Sequence, residues 1–136
     1  MKINKRFYIR VTAMGLIILF AILMAFLGKQ HTILIDNKNI EINGVELKAL
    51  QIVEFQVDKQ PALELAKRDR LKTLVQGQTH TFIITYADEN WEEFVLEKKL
   101  KVPFSEDMLI FSIPAFINDI EDVDNYLKPF IIKTIN

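Results

Sequence analysis

Few residues in this chain have the type and spacing that chemistry needs. His31 and His80 are its two histidines, and from neighbouring strands they could meet. A structural zinc site wants four ligands, usually with thiolates among them, and a catalytic one wants at least three. The chain has no cysteine, so no metal or other cofactor is expected, and each histidine is expected at a strand start with its ring half exposed. The only serines, Ser105 and Ser112, lie neither in a Gly-x-Ser-x-Gly turn nor beside a histidine in sequence, so no activated nucleophile is visible. Residues 118–125 (NDIEDVDN) place Asp119, Glu121, Asp122 and Asp124 at spacings that suit calcium, but the glycine that turns such a loop and its closing bidentate Glu are missing. That run is expected to be a solvated helix face.

Three further groups bear on binding. Asp88, Glu89, Glu92 and Glu93 could flank a sugar bond as acid and base, or simply keep a turn soluble. In Lys67-Arg68-Asp69-Arg70, Arg68 and Arg70 would point the same way from a strand and could clamp a carboxylate or phosphate. The alternative is an edge strand kept from unwanted pairing by its charges. Trp91, beside the acidic turn, is a candidate partner anchor, against the alternative that it packs the hairpin end. No catalytic residue is expected, and the protein is not expected to be an enzyme.

The elements that must position these residues begin with an apolar rod. Residues 11–28 carry no charge, while Lys2, Lys5, Arg6 and Arg10 precede them with no acid among them. At about 1.5 Å per residue, this helix covers roughly 27 Å, close to the ~30 Å hydrocarbon core of a bilayer. The basic flank at 1–10 is expected on the cytoplasmic side and everything after the span outside. A cleaved signal would have a shorter apolar stretch and a small-x-small site, and Leu27 fits that site badly, so an uncleaved anchor is expected rather than a removed leader. The bilayer is thus the first partner, through 11–28.

Beyond the span, residues 29–136 hold thirteen basic against eighteen acidic residues, a formal charge of −5, which does not suit nucleic acid. Without disulfides the domain must fold on buried apolar area alone. Its pattern has period two: HTILID, then a second run before Asn43-Gly44, the dipeptide suited to a tight hairpin, then strands around 50–57 and 62–65. KRDRLKTLVQGQ reads as a polar stretch. THTFIITYA and the returning run 94–102 form the clearest pair, turned by Asp88-Glu89-Asn90. Six or seven short strands with turns about every ten residues predict an immunoglobulin- or fibronectin-III-like β-sandwich over 29–107, with a small open barrel as the competing architecture.

Residues 108–136 depart from that rhythm and are expected to form a helical appendage. Ser112 caps the helix, Pro114 sits in its first turn, and Ile113, Phe116, Ile117, Ile120, Val123 and Leu127 recur at helical spacing. Phe116 and Ile117 are then candidate contacts for a partner, unless this face covers an end of the sandwich or lies on lipid. The tail FIIKTIN is apolar for a chain end.

The succession of a basic start, a single span, GKQHTILIDNK, ING, KRDR before a glycine and a histidine, DEN, EKKLKVPF and SIPAFIN resembles a family of small single-pass, membrane-anchored bacterial proteins of unknown function. The resemblance covers nearly the whole chain and implies a β-rich extracytoplasmic domain on the bacterial cytoplasmic membrane, with no catalytic residue. Two functions remain: a non-enzymatic interaction or accessory domain serving a transport or envelope complex, or an envelope protein that binds or hydrolyses a small ligand or glycan near Trp91.

Overall fold

The first element is a helix because a long apolar run, with no acid, no proline and one glycine among its twenty-three residues, can satisfy its own backbone hydrogen bonds in an apolar medium only by coiling. The computed structural model describes residues 2–130, and in it this helix, α1, runs Lys5–Leu27 with none of its side chains buried. At about 1.5 Å per residue it is roughly 34 Å long, and it is apolar enough to cross a membrane. It takes in Lys5, Arg6 and Arg10 of the basic flank, so the rod begins before residue 11. It stops at Gly28, whose N–H bonds Met24 O at 2.8 Å, and strand β1 (Gln30–Asp36) starts two residues later.

Two four-stranded sheets follow. In one, β10 (Leu127–Pro129), β9 (Met108–Ser112), β1 and β6 (Arg70–Gln76) lie in that order, with β1 antiparallel to β6 and parallel to β9. In the other the order is β5 (Leu63–Ala66), β4 (Ile52–Val57), β7 (Thr79–Ala87) and β8 (Glu93–Lys101), antiparallel throughout. A separate hairpin pairs β2 (Ile40–Ile42) with β3 (Val45–Leu47). Its turn residues Asn43 and Gly44 sit at φ 52° and 79°, the left-handed pair that matches the twist of two flanking strands.

Alternation builds the core. His31, Ile33 and Ile35 of β1 point inward, as do Val53, Phe55 and Val57 of β4 and Phe82 and Ile84 of β7. The sheets meet face to face at Phe111 of β9, whose ring lies 5.5 Å from Phe55 and 5.2 Å from Phe82. Asn37, fully buried just past β1, stitches them at one end. Its Nδ2 donates to Leu50 O at 2.8 Å and Ala66 O at 3.0 Å, while its Oδ1 accepts from Leu50 N at 2.9 Å. An amide satisfied on three sides holds buried chain that no apolar residue could hold.

The fold departs from the sequence reading in three places. Eight strands lie within 29–107 among the described residues rather than six or seven, and the stretch read as polar is one of them, strand β6, with Leu71, Thr73 and Val75 turned inward between exposed neighbours. The segment from 108 contains the expected short helix but opens on a strand: Met108–Ser112 alternates like a strand and lies inside the sheet between β10 and β1. Third, the expected continuous helix is two short ones. Ser112 does cap α2 (Ile113–Asn118), but the backbone turns extended at Asp119 and resumes as α3 (Val123–Tyr126). Asn and Asp compete for backbone hydrogen bonds, and Asp119 Oδ1 accepts from Glu121 N at 3.1 Å in just this way. The apolar tail after Phe130 lies outside the described residues.

Candidate functional site

Strand register gives the domain two poles. Strand β7 starts beside the end of α1 and runs nine residues away from it, roughly 27–30 Å at about 3.3 Å per residue. Val53 pairs with Tyr86 and Ile52 with Ala66, so the 48–52 segment, the β5–β6 turn and the β7–β8 turn gather at the far pole.

There they enclose a groove of about 570 Å³ whose lining includes Lys48, Gln51, Ile52, Lys67, Tyr86, Asp88, Glu89 and Trp91. Trp91 is 80 % exposed and holds a left-handed backbone, φ 62°. Such a conformation costs an L-residue roughly 1–2 kcal/mol. The turn enforces it: Asp88 Oδ1 accepts from Asn90 N at 2.9 Å and Glu92 N at 2.8 Å, and Trp91 N donates to Asp88 O at 3.0 Å. The indole is therefore held out in solvent and does not pack the hairpin end. Of the four carboxylates, Asp88 and Glu89 line the groove, with Asp88 Oδ1 bonded within its own turn, while Glu92 and Glu93 lie outside the lining.

The arginine clamp is not formed. Arg68 is in the turn at φ 73°, not on a strand, and only Arg70 opens β6. Arg70 is engaged with Asp36 of β1 through two parallel hydrogen bonds, the Nη2–Oδ2 arm at 2.8 Å. The bond to Asp36 raises the Arg70 pKa above its ordinary value. The charged edge is the reading that fits, since β6 is the outer strand of its sheet.

Neither histidine is half exposed. His31 is fully buried, its Nδ1 on Glu106 O and its Nε2 without a protein partner. His80 is held by Asp58 Oδ2 at 2.6 Å and Gly77 O at 3.0 Å. Partial burial pushes the Asp58 carboxyl up, but the hydrogen bonds from His80 and Thr81 N–H and the charge of His80 outweigh it, leaving Asp58 below its usual value. Among the described residues no group of three or more His, Asp or Glu could hold a metal ion. The acidic run 118–125 instead folds the helix break, where Tyr126 donates to Ile120 O at 2.8 Å. Burial, with the charges of Glu121, Asp119 and Asp122, raises its hydroxyl to about 12.

Phe116 is withdrawn as a partner contact: it is fully buried, with its ring 5.2 Å from Phe111 and 5.0 Å from Tyr126. Ile117 is half-buried against the same cluster. Of the three places open to this apolar face, the sandwich, lipid or a partner, the structure shows the first; the sheets beneath it are invisible in local spacing.

At the near pole lies a group that sequence reasoning passed over. Phe104, in the β8–β9 loop, stacks on Phe26 in the last turn of α1, centroids 5.0 Å apart and planes 20° apart. Lys29 Nζ sits 4.3 Å from the Phe104 ring centre, donates to Phe104 O and pairs with Asp107 at 3.2 Å. Gln78 Nε2 reaches Phe26 O at 3.1 Å, and Gly77 N reaches Lys29 O at 3.0 Å. The available signal was the aromatic in VPF, placed just past a strand end with no strand of its own to pack.

The chain matches, over residues 1–136, a family of unknown function (DUF6672), and it belongs to that family. No curated protein and no solved structure matches it.

Proposed function

We propose that the protein is a non-enzymatic, membrane-tethered interaction domain. In this reading α1 is an uncleaved anchor in the bacterial cytoplasmic membrane, the basic amino end is cytoplasmic and the β-rich domain stands outside. The observation that carries it is the way the last turn of α1 is bonded into the domain by Phe26, Gln78 and Lys29. A leader destined for removal gains nothing from stacking and hydrogen bonds to the mature fold. The domain then offers the Trp91 groove at the pole farthest from the helix, to another protein of the same envelope or transport assembly. An exposed tryptophan held in a strained turn is the kind of anchor that dominates protein contacts.

The fold reading goes one step finer with it. The order β5-β4-β7-β8 corresponds to C′-C-F-G of an immunoglobulin- or fibronectin-III-like sandwich, and the β1–β6 pair to B–E. Strand β9, arriving from the other end of the chain, then takes the place of strand A, which accounts for its running parallel to β1.

A photo-crosslinking amino acid substituted for Trp91 in intact cells is expected to give an adduct with a larger membrane protein, whereas the same group substituted for Val95 is not. Equal labelling from both positions, or none from either, overturns the reading.

The groove favours one alternative. An aromatic platform beside Lys48, Gln51 and Lys67 also suits a small ligand or glycan. Trp91 is the only tryptophan, so its emission reports directly on occupancy. A saturable change on titration with cell-wall glycan fragments supports this alternative, and a flat response removes it.

A further inference from the structure

The near pole carries a second surface, and its geometry points to a definite partner. We infer that the β8–β9 loop is seated in the lipid–water boundary of the membrane that α1 crosses, with Phe104 as its immersed residue. This rests on the anchor reading above.

Only two residues, Gly28 and Lys29, separate the end of α1 from the start of β1, and both are engaged. Gly28 N–H closes the helix, while Lys29 O accepts from Gly77 N at 3.0 Å and its ammonium is held by Phe104 O and Asp107. No linker is left for the domain to lift away on. If α1 spans, Phe26 in its last turn lies where hydrocarbon gives way to headgroups. Phe104, its ring centre 5.0 Å away and its plane 20° from that of Phe26, then lies within 5.0 Å of that depth.

The exposure of these rings fits that place. Phe26 remains 47 % exposed and Phe104 43 % exposed after stacking on each other, forming one apolar surface continuous with the shaft of α1. Bilayer interfaces favour aromatic rings with polar groups at their rim. Here the rim is Lys29, whose ammonium lies over the Phe104 ring, and the amide of Gln78. Because Asp107 and the Phe104 carbonyl occupy the Lys29 ammonium over the ring, the stacked rings form an apolar and aromatic seat rather than a phosphate clamp.

Two consequences follow. The domain has a fixed orientation on the membrane instead of swinging on a tether. The Trp91 groove is held away from the lipid by up to the length of β7, so it meets partners that project from the surface.

The test is depth-dependent quenching of single-tryptophan versions of the full chain in phosphatidylcholine vesicles carrying nitroxide lipids. Three proteins are compared: the native chain with Trp91, Trp91→Phe with Phe104→Trp, and Trp91→Phe with Phe26→Trp. The expected result is strong quenching at 26 and 104, greatest for a nitroxide near the headgroups, with a blue-shifted emission at 104, and little quenching at Trp91. Quenching at 26 with none at 104 overturns the seated loop while leaving the anchor intact. No quenching at 26 overturns the anchor and the seat together. Strong quenching at Trp91 overturns the assigned orientation. Circular dichroism of each protein confirms that a silent probe does not come from an unfolded domain.

Discussion

Phe104 stacks on Phe26 across seventy-eight positions of sequence, their ring planes only 20° apart. A loop of the β-domain and the last turn of the apolar helix therefore form one packed unit. Phe104→Ala removes the stack and the ring under the Lys29 ammonium, interactions worth about 1 kcal/mol beyond simple burial. The expected outcome is faster proteolysis around Gly28 in mild detergent, with the core of the domain unchanged by hydrogen exchange. Unaltered cleavage would show that the helix end is fixed without the ring.

Asn37→Ala is expected to be among the most damaging polar substitutions. It removes three hydrogen bonds from a fully buried site and strands the Leu50 N–H and two carbonyls, at a cost of about 2–4 kcal/mol. Asn37→Asp loses the two donated bonds as well and buries a charge, so it offers no rescue. Thermal melting of the full chain in detergent measures both, and a loss of under about 1 kcal/mol would mean that water replaces the amide.

Asp58 links stability to pH on the acid side. Its folded pKa lies below the unfolded value of about 3.9. The stabilisation is therefore complete above that value and is lost as pH falls through the lower, folded pKa. With the side chain 41 % exposed, solvent screening limits the effect to about 1 kcal/mol. Asp58→Asn should be less stable than the native chain at pH 7 and close to it at the acid limit. A difference that stays constant from neutral to strongly acid pH contradicts this assignment.

Trp91→Gly and Trp91→Ala separate backbone from side chain. Glycine accepts the left-handed conformation freely and alanine does not, so the glycine variant should be about 1 kcal/mol more stable than the alanine variant. Both lose the indole, and both should lose whatever Trp91 binds. Equal melting temperatures would place the turn outside the left-handed region in solution.

Phe116→Ala should cost about 3–5 kcal/mol, the range for a buried aromatic ring. A partner-facing residue would cost far less, so denaturation alone distinguishes the two roles.

The sequence by itself determined what depends on local pattern. A run without charge makes an apolar helix of membrane-spanning length, Asn-Gly makes the left-handed turn, alternation makes β1, β7 and β8, and Ser112 followed by Pro114 starts a helix. Each of these follows from backbone sterics and side-chain spacing within a few residues. Tertiary structure decided whatever depends on a neighbour distant in the chain. Phe116 looks like a docking residue until Phe111 and Tyr126 are seen around it, and Met108–Ser112 reads as the approach to a helix until β1 and β10 supply its hydrogen bonds. Arg70 looks free until Asp36 lies opposite it, and a histidine's burial depends on which sheet closes over it. The poles of the domain are decided in the same way, because Phe104 and Trp91 are both aromatic residues near strand ends, and only strand register shows that one adjoins the helix and the other lies farthest from it.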